Sequence, residues 1–289
     1  MGEYPFLKGH GTENDFVLLP DHDGSVHGGL GEDELAARVR RLCDRRAGIG
    51  ADGVLRVVRT SALSPARPVE TSLLPEWFMD YRNADGSLSE MCGNGIRVFV
   101  RYLVDAGLVN AGSPIDIGTR DGVKTLTVDG DLVTVDLGRP RVLGETKVAI
   151  GPSTWPATHV DMGNPHAVAF LDDVEEWAAL DLGDAPDHDE ALYPEGVNVE
   201  LVVRRGERHV AMRVHERGSG ETRSCGTGAG AVLVATATAD GVGPGSAAPG
   251  PATYRVDVPG GTLTLTWTSD DHVLLTGPAV VVARGTTSL

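Results

Sequence analysis

The 289-residue sequence holds only three cysteines, Cys43, Cys92 and Cys225. That number is too small, and odd, for a disulfide framework. Residues 1–11 lack the apolar core of a secretory signal. No stretch approaches the roughly 20 consecutive apolar residues of a membrane span. A reducing cytoplasm is therefore the expected compartment. Positive charge is scarce as well: 25 Lys and Arg stand against 41 Asp and Glu, a formal net charge of −16. Such a balance excludes nucleic acid and anionic membrane surfaces as partners. It leaves a small-molecule substrate, because a local pocket can oppose the global field, and it leaves a homodimer open. Lysine occurs only at Lys8, Lys124 and Lys147. None is an obvious pyridoxal anchor, so no cofactor is expected. Neither Cys92 nor Cys225 has a neighbour at metal-ligand spacing, so no metal is expected. A Gly-x-Ser-x-Gly elbow is missing, since Gly218-Ser219-Gly220 does not match it. A phosphate loop is missing too, since Gly226 to Gly230 is not followed by Lys-Ser/Thr.

What the chain does have is one device used twice. Met91-Cys92-Gly93-Asn94-Gly95 precedes an amphipathic run, Ile96 to Val104, that ends near Gly107. Glu216 to Ser224, then Cys225-Gly226-Thr227-Gly228, precedes the apolar run Ala231 to Ala239, which ends at Gly241. Both read Cys-Gly-x-Gly before a helix, with a polar residue nine positions ahead of the cysteine, Asn83 and Glu216. The two cysteines lie 133 residues apart, which suggests a duplicated unit. Each thiol is placed at a helix N-terminus, where free N–H groups and the macrodipole favour negative charge. Ionisation there is expected to be easier than in solution.

The remaining pattern organises the two halves. Lys8 to Phe16 reads as a polar loop feeding a strand, Phe16 to Leu19. Glu32 to Arg46 reads as a helix with Leu35, Val39, Leu42 and Cys43 on one face, which makes Cys43 a core residue. Gly48 to Gly53 turns into the strand Val54 to Arg59. Ser61 to Leu74 is aperiodic and reads as an exposed insertion. Trp77 to Arg82 is a strand delivering Asn83 to the first thiol loop. Ile115 to Thr119, Val123 to Val128 and Leu132 to Leu137 alternate as a meander. In the second half, Gly163-Asn164-Pro165-His166 precedes an apolar run, Ala167 to Leu171. A hairpin, 197–203 and 209–214, leads into Glu216. Gly241 to Pro251 is a linker. Tyr254 to Val258, Thr262 to Thr268 and His272 to Leu275 are strands, and Pro278 to Arg284 is a last strand returning to the first half. The expected fold is α+β: two pseudo-symmetric domains of mostly antiparallel strands, each with a long central helix, and an active site in the cleft between them. The expected boundaries are 1–136 plus 276–289 for one domain and 137–275 for the other.

The bland reading of a helix-start cysteine is a small filler, and glycine-rich helix starts also bind phosphate. Two thiols in matching loops fit a sharper purpose. Inverting a carbon centre needs a base on one face and an acid on the other. A free cysteine titrates near about 8.5, so a thiolate at neutral pH needs a depression of roughly 1.5 units, about 2 kcal/mol. A helix N-terminus supplies roughly 0.3–2 kcal/mol. The dipole alone is borderline, and loop donors or a substrate ammonium must add to it. The same N–H groups can hold a substrate carboxylate and stabilise charge spreading onto it as the α-carbon loses its proton.

The set Asn14-Asp15-Phe16, Asn83-Ala84-Asp85-Gly86-Ser87, Met91 to Arg97, Gly163-Asn164-Pro165-His166, Val197-Asn198, Glu216-Arg217-Gly218 and Cys225 to Gly228 resembles the diaminopimelate epimerase family, over Phe6 to about Arg284. That family interconverts LL- and meso-2,6-diaminopimelate without cofactor, on the way to lysine and peptidoglycan. Its fold is two pseudo-symmetric α+β domains with the C-terminal strand returning to the first. The resemblance implies that Cys92 and Cys225 are the acid/base pair. It implies that N–H groups around Gly93, Asn94, Gly226 and Thr227 hold the carboxylate at the reacting centre. Asn14, Asn83, Asn164, Asn198, Glu216 and Arg217 would read amino and carboxyl groups, Arg217 with a fork that bonds both oxygens. His166 would assist near the first thiol, or be a loop histidine bonded to backbone. Three features depart from the family pattern: Gly53 where many members carry Gln, His215 where many carry an aromatic residue, and the long 61–74 insertion. The rival family is proline racemase and hydroxyproline epimerase, with the same two-thiol chemistry but Cys-Gly-His after the first thiol. A non-catalytic carboxylate-binding protein is the rival from another class; it would need the Asn and Arg residues but not two thiols.

Overall fold

The computed structural model describes residues 2–63 and 75–289. Most of the 61–74 stretch expected as an insertion lies outside the described residues. In chain order the first elements are β1 (Tyr4–Gly11), β2 (Asn14–Pro20), α1 (Glu32–Cys43), β3 (Gly53–Arg59), β4 (Trp77–Asn83), α2 (Gly93–Asp105), β5 (Ile115–Thr119), β6 (Gly122–Asp129) and β7 (Leu132–Asp136). Then come β8 (Arg141–Ile150), β9 (Ser153–Asp161), β10 (Pro165–Phe170), α3 (Val174–Ala179), β11 (Asn198–Gly206), β12 (His209–Glu216), β13 (Gly220–Thr222) and α4 (Gly226–Ala239). The chain closes with β14 (Ala252–Val258), β15 (Gly261–Trp267), β16 (Val273–Pro278) and β17 (Val280–Thr287). These form two compact units, Met1–Val135 with Pro278–Leu289, and Asp136–Gly277.

The two units repeat one plan. In the first, the strands run in the order β17-β1-β2-β3-β4-β5-β6-β7, parallel at β2/β3 and β4/β5 and antiparallel elsewhere. In the second they run β8-β9-β10-β11-β12-β14-β15-β16, parallel at β10/β11 and β12/β14 and antiparallel elsewhere. The helices fall at matching crossovers: α1 between β2 and β3, α3 between β10 and β11, α2 between β4 and β5, α4 between β12 and β14. Ladder register makes positions equivalent. Phe16 faces Gly53 as His166 faces Asn198. Leu55 pairs with Tyr81 as Glu200 pairs with Val214. Hence Phe16 corresponds to His166 and Leu55 to Glu200.

The central helices form for different reasons at their faces and for the same reasons at their ends. On α2, Ile96, Phe99, Val100 and Leu103 recur at helical spacing and are all fully buried. On α4, Ala and Val surround the axis, and residues 228–237 are all buried; an all-round apolar helix belongs inside. Both stop at a glycine in the left-handed region, Gly107 and Gly241, each at φ +67°. Beyond them the Leu108 N–H returns to Leu103 C=O and the Val242 N–H to Ala237 C=O, both at 2.9 Å, the hydrogen-bonded stop that glycine permits.

Two expected elements are corrected. Lys8 to Phe16 is not a loop: β1 and β2 form a hairpin across Thr12 and Glu13, at φ 49° and 61°, a two-residue turn whose twist suits a hairpin. The inward positions of β1 include Gly9 and Gly11, which carry no apolar side chain and so hide the alternation. Helix α1 ends at Cys43 rather than at Arg46, because the Asp44 carboxylate accepts the N–H groups of Arg46 and Ala47, both at 2.8 Å, and closes a turn there.

Beside α1, His27 is 1% exposed. Its Nδ1 lies 2.9 Å from Arg38 Nη1. A guanidinium only donates, so this nitrogen accepts and the ring is neutral. Burial draws His27 down to about 4, with the Arg38 and Arg56 charges adding and the Asp21 and Asp80 carboxylates opposing. Among the described residues no helix is long and apolar enough to cross a membrane.

Candidate active site

In the first unit, β4 delivers the chain to Cys92, which adopts an extended conformation (φ −141°, ψ 120°) and caps α2. Its Sγ accepts the Gly95 N–H at 3.4 Å. Asn14, at the start of β2, places Oδ1 3.6 Å from the same sulfur and accepts the Asn94 amide at 3.2 Å. The other end of Asn14 donates to Asp52 at 2.7 Å. Asn94 in turn accepts from Arg97 at 2.8 Å. These bonds fix both asparagine amides, so that Asn14 shows its carbonyl to the thiol. Arg97 is completely buried, and burial lowers its guanidinium to about 10, with Cys92 opposing; it stays charged at neutral pH. Asn83 donates to Ser87 Oγ at 3.0 Å and braces the loop before the cysteine.

In the second unit, Cys225 repeats the arrangement at φ −117°, ψ 120°, capping α4. Its Sγ accepts the Gly228 N–H at 3.3 Å and lies 3.6 Å from Thr227 Oγ1. The first turn also contributes the Gly226 and Thr227 N–H groups, which have no intrahelical acceptor. Here the expected easy ionisation is overturned. Burial comes first, then the Glu216 and Glu200 carboxylates, and together they push the Cys225 thiol well above its ordinary value; the Thr227 and Gly228 donors act the other way and lose. Cys225 therefore holds its proton, as an acid must before it acts.

The other expected residues of this unit divide by how their polar ends are used. Asn198 is committed at both ends: its amide donates to Pro165 C=O at 3.1 Å and its carbonyl accepts the Arg217 N–H at 3.0 Å. It ties Arg217 to β11 rather than pointing outward. The Arg217 guanidinium is held loosely, 3.4 Å from Glu195 C=O and 3.9 Å from the exposed Glu195 carboxylate. Glu216 accepts from the Thr222 hydroxyl. His166 sits on β10, fully buried, bonded to side chains and not to backbone: Nδ1 to Glu200 Oε1 at 2.7 Å and Nε2 to Asn164 Oδ1 at 3.0 Å.

The departures have local causes. A Cβ at Gly53 would lie 2.6 Å from Arg82 C=O and 2.7 Å from the Tyr81 ring, so no side chain fits there without displacing β4. His215 is buried and Nδ1 bonds Leu182 C=O at 2.9 Å. Cys43 packs in the core beneath α1, and burial raises its thiol to about 12.

Sequence reasoning gave no role to Glu200 or Arg97. Glu200 carried a visible signal: a carboxylate flanked by Val199 and Leu201 in a strand buried on both faces, which a chain tolerates only when the charge has a partner.

Comparison with known proteins gives one consistent result. The family model described as Diaminopimelate epimerase matches residues 6–143 and 158–282. A diaminopimelate epimerase of Streptomyces coelicolor is 57% identical over 284 residues, covering 97% of this chain and 94% of the relative. Among solved structures, a PhzF-family phenazine biosynthesis protein of Bacillus anthracis superposes at a TM-score of 0.71 with 14% identity, over 100% of both chains. A hydroxyproline epimerase of Agrobacterium vitis with bound trans-4-hydroxy-L-proline superposes at 0.61 with 16% identity, covering 99% of this chain and 93% of its own. At such identities these two structures share the fold and no more.

Proposed function

Because the chain belongs to the diaminopimelate epimerase family, we propose that it interconverts LL- and meso-2,6-diaminopimelate by two-base proton transfer between Cys92 and Cys225. The observation that carries this reading is the repeated cap: each thiol is the N-cap of a buried helix and is hydrogen-bonded by the third N–H of that helix.

Inversion needs a base on one face of the α-carbon and an acid on the other. Cys225, with its proton retained by burial and two carboxylates, is the acid when Cys92 is the base; the reverse reaction exchanges the roles. As the α-hydrogen leaves, charge spreads onto the substrate carboxylate. The N–H groups of Gly93, Asn94, Gly226 and Thr227 stand at the positive ends of α2 and α4, where that charge is stabilised without reorganisation. Arg217 takes a carboxylate of the substrate. Asn198 acts through Arg217 by holding its backbone. Glu216 supplies a carboxylate for an ammonium group. Three free cysteines support a cytoplasmic setting, where thiols stay reduced.

The test is incubation of the purified protein with LL-diaminopimelate, following isomer composition by chiral chromatography. Formation of the meso isomer up to an equilibrium mixture is expected. Unchanged LL isomer, together with inversion of trans-4-hydroxy-L-proline, would give the protein to the rival family.

A further inference from the structure

The equivalence of the two units exposes one place where they differ in kind. Under the start of α2 lie Phe16 and Leu55, whose side chains would meet a Cβ on Gly95 at 3.3 and 3.2 Å. At the equivalent register positions under α4 lie His166 and Glu200, both 0% exposed. An apolar pair in one unit is a pair of ionisable groups in the other. Burying such groups costs stability unless they are partnered, so the exchange has a purpose beyond packing.

Following the bonds shows what they reach. Glu200 Oε1 lies against the first turn of α4, where a Cβ on Gly228 would come within 2.6 Å of it. A helix start favours the ionised carboxylate. Its other oxygen, Oε2, is buried and has no hydrogen-bond partner among the described residues. An ionised carboxylate only accepts, so the 2.7 Å contact places a hydrogen on His166 Nδ1. At the far side of the ring, Nε2 stands 3.0 Å from Asn164 Oδ1, an acceptor as well. Both ring nitrogens face oxygen, which is the surrounding of an imidazolium. Asn164 is thereby held by its carbonyl, and its amide nitrogen has no partner in the protein among the described residues. The equivalent asparagine of the first unit, Asn14, is oriented the other way, with its amide nitrogen on Asp52 and its carbonyl toward Cys92.

We propose that Glu200 is a positioning residue for substrate recognition: through the buried, doubly protonated His166 ring it holds the Asn164 carboxamide with its NH2 group turned outward, to donate to a substrate carboxylate. This deepens the epimerase reading and rests on it. The titratable groups around the His166–Glu200 pair are His159 on β9, whose charge interacts with the His166 ring, Tyr193, whose hydroxyl feels the Glu200 charge, and Cys225, which feels both Glu200 and Glu216.

The variant Glu200→Gln keeps the shape and removes the charge. Without that charge nothing holds the second ring proton at pH 8: the one proton stays on Nδ1, Nε2 becomes an acceptor, and Asn164 rotates to donate to it. A carbonyl then faces the substrate carboxylate. KM is expected to rise about tenfold or more at pH 8, the loss of a hydrogen bond to a charged group, and to return toward the parent value at pH 6. The kcat is expected to change as well, because the Glu200 charge acts on the Cys225 thiol; the diagnostic is therefore KM against pH, which should be flat in the parent over the same range. The double variant His166→Phe with Glu200→Leu writes the first unit's pair into the second; it should fold, as judged by circular dichroism, and show a raised KM at every pH. An activity-independent readout is the 15N spectrum of the histidine rings at pH 8, with the His166 signal identified by its loss in His166→Phe. Two protonated nitrogens in the parent and one in Glu200→Gln are expected. A neutral His166 ring in the parent, or a Glu200→Gln enzyme with parental KM at both pH values, overturns the proposal. If the parent leaves diaminopimelate unchanged while the ring spectra behave as stated, the epimerase reading fails and the His166–Glu200 arrangement stands.

Discussion

Replacing the glycine at the third position of each helix by alanine, Gly95→Ala and Gly228→Ala, should give opposite outcomes. In either helix alanine gains about 1 kcal/mol of helix propensity over glycine. At Gly95 the added methyl meets the Leu55 Cδ2 at 3.2 Å and the Phe16 ring at 3.3 Å. Both are apolar groups that can yield by a few tenths of an ångström, at a cost near the low end of the roughly 1–3 kcal/mol for overpacking. Gain and cost nearly cancel. At Gly228 the methyl meets Glu200 Oε1 at 2.6 Å and the Cβ and Sγ of Cys225 at 3.2 Å. The carboxylate cannot retreat without stretching its 2.7 Å bond to His166. Overpacking of about 1–3 kcal/mol and a weakened charge-assisted bond of roughly 1.5–3 kcal/mol outweigh the propensity gain. A net loss of about 2–4 kcal/mol corresponds to a melting point lower by roughly 5–15 °C for a chain of this size. Displacement of the Cys225 sulfur should also cost at least about tenfold in kcat/KM, as misplacement of a reacting group does. Gly95→Ala should melt within about 3 °C of the parent. The assay is a thermal melt followed by circular dichroism, with initial rates on LL-diaminopimelate. Gly228→Ala with the melting point of Gly95→Ala and activity within twofold of the parent would refute the packing argument.

Two further outcomes follow from single residues. Arg217→Met should lower kcat/KM roughly 10- to 100-fold through a lost bond to a charged group, discounted because the Arg217 side chain is 39% exposed, while the urea midpoint stays unchanged; activity within threefold of the parent would remove Arg217 from carboxylate binding. His27, drawn down to about 4 in the folded chain, takes its proton later than the unfolded chain does as pH falls. Stability should therefore drop between about pH 6.5 and pH 4, by about 2–3 kcal/mol relative to a His27→Gln variant, read as the difference in urea midpoints across that range; equal pH dependence in the two proteins would show that His27 does not titrate this way.

How much was legible in the sequence depended on whether a residue's meaning was local. The Cys-Gly-x-Gly loops, the helices after them and the hairpin leading to Glu216 all depend on spacing along the chain, and the structure places α2, α4, β11 and β12 at those stretches. Strand β1 was hidden because its inward residues Gly9 and Gly11 give no apolar beat. The end of α1 is not legible because the Asp44 turn outcompetes three more residues of helix. Glu200 and Arg97 are not legible because their partners, His166 and Asn94, become visible as partners only once strand register and helix orientation are known. The elevated Cys225 thiol has the same origin: the helix end that favours ionisation is visible in sequence, whereas the burial and the carboxylates that defeat it come from β11 and β12.

The most direct test of two-base inversion by Cys92 and Cys225 is isotope content in heavy water at under about a tenth of conversion. A thiol carries a single exchangeable hydrogen, so the acid thiol has already exchanged with solvent before it acts. Mass and chiral analysis should find deuterium at the inverted carbon of nearly all product, protium in the unreacted substrate, and no inversion by either Cys92→Ala or Cys225→Ala. Transfer of the original hydrogen into the product, wash-in of deuterium to unreacted substrate, or near-parental inversion by either single variant would contradict the assignment of the two thiols as paired acid and base.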